Sequence, residues 1–266
     1  MEPETSKFTQ SLKAWRKNRK LSQLELALAA DVSQRHVSWL ETGRSKPSRE
    51  MVLRLSAAME VPLRERNTLL NAAGFADVYR EQQLDDPAMA SIKTVLAEIL
   101  KHHEPYPAFV LDRYWNIQQQ NYAADRMFDM VGGAEALWQA VGDTGERNIA
   151  LLTVHPHGFK QFVQNWDDVA IQFAQRLQKE ALDSCDERIM RRLEQLSAYL
   201  PQSDVPTLEP LLPIIPIELN VNGLHLSLCS VISTFGTAQD ITADELRVET
   251  FYPANEHTAD FLAGKV

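Results

Sequence analysis

Within the stretch DVSQRHVSWLETGRSKP, residues 31–47, three polar side chains fall together: Gln34, Arg35 and His36. Ser33 just before them is a strong N-cap type, so they occupy the first turn of a short helix. No apolar side chain appears until Val37, and Ser38 lies one turn beyond Gln34 on the same face. These types suit the edges of nucleic-acid bases: Gln pairs bidentately with adenine and Arg with guanine, in a major groove wide enough for one helix. Arg44 and Lys46 follow in the next loop, placed to meet the phosphate backbone. The amide of Gln23, at the start of the preceding helix, is a further phosphate donor. His36 is open between groove and solvent, and Trp39 between packing on the preceding helix and touching a phosphate or sugar. Read alone, a Gln-Arg-His turn is more often a solvated helix face than a reader of bases.

Other residue sets are weaker. His102-His103 and the pair His155 and His157 have metal-ligand types, but the second pair lacks an acidic or Cys third ligand nearby in sequence, so no metal is expected. The cysteines are two, Cys185 and Cys229, too few for a disulfide framework or a Cys-rich metal site. Cys185 lies among acids, which raise a thiol pKa, so it is not expected to be a nucleophile. His225 sits in an alternating strand and is equally consistent with exposure. No Gly-rich phosphate loop, paired carboxylates or Ser/His set stands out, so neither a catalytic role nor a resident cofactor is expected.

The elements that must position the polar turn are short helices. Helix one is expected from about Phe8 to Lys20, with Leu12 and Trp15 inward. Helix two opens at the capping box SQLE, residues 22–25, and ends near Ala30. Helix three runs from Ser33 to Gly43, helix four follows Pro47-Ser48, and helix five starts at Pro62 and stops before Gly74. Helices two and three with their tight turn form a helix-turn-helix, which brings the amino end of the second helix to the base edges. Asp86-Pro87 opens an amphipathic helix to about His102, with Met89, Ile92, Leu96 and Ile99 on one face. A boundary is expected between about Tyr79 and Asp86, giving residues 1–80 and 81–266. The second part reads as strands at 108–121 around a turn at Asp112-Arg113, then helices at 122–130, 165–182 and 186–200. A hairpin follows over 215–233 with Asn222-Gly223 at its tip, and a last strand over 244–253. The sum is an all-α head followed by an α+β body with a small antiparallel sheet.

Charge separates the same two parts. The 266 residues carry a formal net charge of −9, but residues 1–80 hold 14 Lys and Arg against 9 Asp and Glu. Residues 81–266 hold 13 against 27. A basic head is an electrostatic footprint for nucleic acid, and an acidic body is repelled by phosphate. The longest apolar run, near LLPIIPI, is broken by prolines and far shorter than a membrane span. The polar N-terminal stretch lacks a signal-peptide core, so no membrane association and a cytoplasmic location are expected.

Residues 9–60 resemble the lambda-repressor-like, or XRE-type, DNA-binding family. The resemblance rests on LSQLELALAADVSQRHVSWLETGRSKPS, with Gln23, Leu24, Ala27, Val32, Ser33, Leu40, Glu41, Gly43 and Pro47 at the family's positions. It implies that Arg16 on helix one pairs with Glu41 inside the head and reads no base. Residues 104–130, EPYPAFVLDRYWNIQQQNYAADRMFDM, with ERNIALL, His155-Pro156 and NWDDVAIQFAQRL, resemble the ligand-binding domain of MmyB-like transcription regulators, which is related to PAS sensors. Order and spacing hold to about Leu177. Beyond it, LLPIIPIELNVNGLHL replaces the basic, His-Pro-containing stretch of that family.

The second resemblance implies a sensor joined to the DNA-binding head, with an apolar cavity for fatty acids or other apolar acids. Apolar walls with a few polar anchors suit such a ligand. Tyr106, Phe109, Trp115, Ile117, Met127, Phe128, Phe173 and Leu177 have the types for walls, and Arg147 or Arg113 for meeting a carboxylate. Asn121 is a candidate anchor, or simply an N-cap. The same apolar stripe also reads as ordinary core, with Trp166 as a packing anchor. Three functions follow for comparison. The first is an effector-responsive regulator that binds double-stranded DNA as a homodimer on a pseudo-palindromic operator. The second is the same head on a dimerisation or protein-interaction module, and the third an enzyme with a DNA-binding head.

Overall fold

In the first unit each turn of the chain falls where a capping or left-handed residue stands. The computed structural model describes residues 7–143, 145–182, 184, 186–201 and 214–265. Cys185 and the start of the LLPIIPI run lie outside the described residues. The helices are α1 (Lys7–Asn18), α2 (Gln23–Ala29), α3 (Gln34–Glu41), α4 (Arg49–Ala58) and α5 (Leu63–Ala72). Ser22, Ser33 and Ser48 cap α2, α3 and α4 through their side chains. Helix α1 stops short of Lys20, which takes a left-handed φ of 55°. Phe8, Leu12, Trp15, Leu26, Val37, Leu40, Leu55 and Leu70 close one apolar core.

By contacts, the chain divides into two compact units, the first holding residues up to Gln82 and the later segment Thr237–Asp244. Within that unit the Leu63 amide donates to Asp244 Oδ2 at 3.1 Å, and the Ile241 amide to the Arg80 carbonyl at 2.8 Å. Asp244 thus serves the start of α5, where Pro62 offers no capping side chain.

The second unit is α+β. A 3-10 turn at Pro87–Met89 leads into α6 (Ala90–His102), then β1 (Ala108–Leu111), β2 (Ile117–Gln120), α7 (Tyr122–Met130), α8 (Ala134–Ala140) and α9 (Ile149–Val154). After these come α10 (Trp166–Leu182), α11 (Glu187–Ser197), β3 (Ile217–Val221), β4 (Leu224–Thr234), β5 (Arg247–Pro253) and α13 (Glu256–Leu262); α12 (Ile241–Glu245), between β4 and β5 in the chain, belongs to the first unit save for its last residue. The strands form one antiparallel sheet in the order β2-β1-β5-β4-β3. The β3–β4 hairpin turns at Asn222 (φ 52°) and Gly223 (φ 89°), the two left-handed residues that a two-residue loop requires.

Alternation along the strands sends the two faces to different partners. Phe109, Leu111 and Phe251 face a core completed by Phe128, Trp138, Leu152 and Leu177 from the helices. Ala108, Val110 and Val248 face Leu96 and Leu100 of α6. The last strand begins at Arg247 rather than at residue 244, because Asp240 accepts the Thr242 amide at 2.9 Å and starts α12 instead. Helices α8, α9 and α13 are short elements that periodicity did not flag; Asn148 and Asn255 cap the last two.

Candidate nucleic-acid interface and candidate effector cavity

Helix α3 is held from behind and left free in front. Its N-cap Ser33 accepts the His36 amide at 3.2 Å, so the Ser33 side chain is engaged in shaping the helix start. At α2, Ser22 Oγ accepts the Glu25 amide at 3.1 Å and Glu25 reaches back to the Ser22 amide at 2.7 Å. The connection turns at Asp31 (φ 52°) and closes with the Val32 amide on the Ala27 carbonyl at 2.9 Å. Behind the motif, Arg16 forks onto Glu41 with 2.6 and 3.0 Å hydrogen bonds, and also donates to the Leu21 carbonyl. Gln23 Nε2 gives Glu41 a third donor at 2.8 Å. Burial pushes the Glu41 carboxyl up, but the hydrogen bonds from Arg16 and Gln23 and the Arg16 charge outweigh it, and the net shift is down. The Gln23 side chain therefore points inward, while its amide, first in α2, has no intrahelical partner.

The opposite face carries the sequence-predicted readers. Gln34 and Arg35 are exposed, and His36, Ser38 and Trp39 are half-buried. The Arg35 guanidinium carbon lies 4.3 Å from the centre of the Trp39 ring. The Trp39 carbonyl accepts the Arg44 amide at 2.9 Å and the Ser45 amide at 3.3 Å, which ties the following loop to the helix end. Arg44 and Lys46 on that loop are exposed. Exposed polar and basic side chains thus follow one another along α3 and the loop after it.

In the second unit a partly enclosed apolar void of about 10 Å³ lies between the sheet and the helices. Met127, Met130, Phe159, Phe162, Leu228 and Leu262 are among its walls. Of the sequence-predicted walls, Met127 lines it. Phe109, Trp115, Phe128 and Leu177 are buried in the adjoining core, and Ile117 and Phe173 pack on that core. Tyr106 packs with the Leu219–Leu228 cluster. Asn121 is fully engaged: its Oδ1 caps α7 at the Ala124 amide and accepts the Ala108 amide, and its Nδ2 donates to the Tyr106 carbonyl. Arg147 is exposed, and Arg113 is buried against Glu245 at 2.5 Å. A second, larger hollow of about 550 Å³ is open to solvent between α6 and the β4–β5 surface, with Val95, Glu98, His102 and Tyr252 on its rim.

A half-buried charged cluster escaped the sequence reading. Trp115 Nε1 donates to Glu180 at 2.9 Å, Arg247 pairs with the same carboxylate at 2.7 Å, and Arg176 and Arg247 lie 5.4 and 5.5 Å from the Trp115 ring centre. Glu249 is buried beside them, and burial pushes its carboxyl up. The signal was present in RVETFYP, where Arg247 and Glu249 share the inward alternation of Phe251. Tyr114 donates to Asp186 at 2.7 Å, and burial with that bond pushes its hydroxyl to about 12. His155 and His157 have ring centres 5.5 Å apart. Among the described residues no group of three or more metal-ligating side chains assembles.

No helix among the described residues is long and apolar enough to cross a membrane. Residues 12–66 match a helix-turn-helix family model. No curated protein matches the chain. Residues 92–263, more than half of the chain, match the model of the MmyB-like transcription regulator ligand binding domain. A capped helix-turn-helix with a free polar edge, followed by that domain, makes this chain a member of the MmyB-like family and a DNA-binding transcription regulator.

Proposed function

We propose that residues 1–80 bind double-stranded operator DNA as one half of a homodimer, and that residues 81–266 sense a small apolar acid of the fatty-acid class. The protein acts in the cytoplasm and catalyses no reaction. The observation that carries the DNA reading is the polar edge of α3, where the side chains of Gln34 and Arg35 are exposed. One short helix makes few base contacts, which favours two half-sites about one helical turn apart. Gln34, Arg35 and Ser38, with His36 beside them, face bases; Arg44, Lys46 and the Gln23 amide meet phosphates; Ser33 shapes the helix start.

The effector reading is supported by family membership and by the partly enclosed apolar void. A void of about 10 Å³ does not hold an alkyl chain, and ligand sites span roughly 300 Å³ or more. Entry therefore requires Met127 and Met130, whose flexible thioethers re-pack readily, to move aside. The small size of that void and the exposed apolar side chains on the sheet favour a second reading, in which the body is an interaction module and its sheet surface at Val231 and Tyr252 meets a protein. Native mass spectrometry of the purified chain, with mass analysis of anything released on denaturation, separates the two. A dimer releasing a discrete apolar acid supports the sensor. A dimer that takes up no straight-chain fatty acid from an added series supports the module, and a monomer contradicts the dimer.

A further inference from the structure

We propose that Trp39 is a specificity-determining positioning residue: its indole face holds the Arg35 guanidinium in the orientation that reads a base. The proposal rests on the reading of α3 as a DNA-reading helix and names how one of its readers is held.

Arg35 and Trp39 are one helical turn apart, so their side chains run over the same strip of α3. The guanidinium carbon sits 4.3 Å from the ring centre, within stacking distance, while Arg35 itself remains exposed. An exposed arginine otherwise samples many rotamers, and freezing them on binding costs affinity. A planar guanidinium laid on an aromatic face keeps its edge of N–H donors free, and that edge is what guanine O6 and N7 accept.

Trp39 is itself anchored independently of Arg35. Its carbonyl accepts the Arg44 and Ser45 amides, so the residue joins the reading helix to the loop that carries Arg44 and Lys46. The backbone bond survives any side-chain substitution, and the ring does not. Ring and carbonyl functions are therefore separable: losing the ring disturbs the reading by Arg35, and losing Lys46 disturbs phosphate attraction.

The test is selection from a random-sequence duplex library with the full chain, followed by affinity measurements on the enriched sequence and its single-base variants. Wild type, Arg35→Ala, Trp39→Ala, Trp39→Phe and the double variant Arg35→Ala/Trp39→Ala are compared, with thermal unfolding as a folding control. Trp39→Ala is expected to lower discrimination about two- to fivefold, at the base pair that Arg35→Ala also relaxes. Trp39→Phe restores most of it, and in the double variant the Trp39 change adds nothing further. Three results would overturn the proposal. Trp39→Ala leaves discrimination intact while Arg35→Ala relaxes it; or Trp39→Ala weakens all sequences alike; or Arg35→Ala changes no base preference. If the wild type itself enriches no sequence, the underlying reading of α3 fails, and that failure is distinct from the other three.

Discussion

Two buried acids show how residue-level chemistry sets opposite pH responses. Glu41 is held below the usual carboxylate range: burial raises it, and the donors Arg16 and Gln23 more than reverse the effect. Its pairing stabilises the head above the ordinary carboxylate pKa and is lost as pH falls through the depressed folded value. Arg16→Ala leaves that buried carboxylate with Gln23 alone and is expected to cost about 3 kcal/mol in urea unfolding at neutral pH. The difference from wild type narrows as the solution is acidified. Glu249 behaves in the reverse sense, because burial raises its pKa despite Arg176 and Arg247 nearby. The folded chain keeps that proton when the unfolded chain has lost it, so stability declines as pH rises from the ordinary value through the raised one. Glu249→Gln removes this decline, and unfolding midpoints of wild type and variant measured across that window should converge toward acid pH. A decline that persists in Glu249→Gln would assign it to another group. The Arg16–Glu41 pair was legible through the family resemblance, since both partners stand at fixed positions in a short motif. Glu249 was not, because inward alternation in a strand says only that a side chain is buried, not how a charge there is met.

At the scale of elements, the head was readable because each helix announces itself with a local signal: SQLE, Ser33, Ser48. The Asn222-Gly223 hairpin was readable for the same reason. Helices of six or seven residues, α8, α9 and α13, span too few turns for apolar periodicity to emerge. Asn121 gave its capping role in sequence, but not its bonds to the Ala108 amide and Tyr106 carbonyl, which depend on chain segments more than ten residues away. The caps invite a direct test. Ser33→Ala removes the acceptor for the His36 amide and is expected to cost about 1 kcal/mol of stability, with Ser33→Asp recovering most of it. A midpoint unchanged in Ser33→Ala would mean that the cap bond contributes nothing. The loop after α3 invites another. Lys46→Ala is expected to weaken binding to all sequences alike and to lower the slope of log K against log salt by about one unit. An unchanged slope would remove Lys46 from the phosphate contacts.

For the whole molecule, the charge asymmetry, the helix-turn-helix and the α+β body were legible from composition and pattern. The grouping of Thr237–Asp244 with the first unit was not, since it depends on contacts between residues far apart in the chain, such as Leu63 with Asp244. Nor was the small size of the apolar void beside Met127 and Phe159: residue types predict walls, and only packing shows how much room the walls leave. The proposed sensing requires coupling between effector and operator. An effector changes DNA binding only by its differential affinity for two states of the protein, and the effect is reciprocal. The most direct measurement is the Kd of the full chain for its selected operator, with and without each member of a straight-chain fatty-acid series at saturating concentration. At least one acid is expected to shift that Kd about fivefold or more, in either direction. A Kd that stays the same with every acid would contradict the proposed sensing and leave a DNA-binding regulator whose body responds to something else.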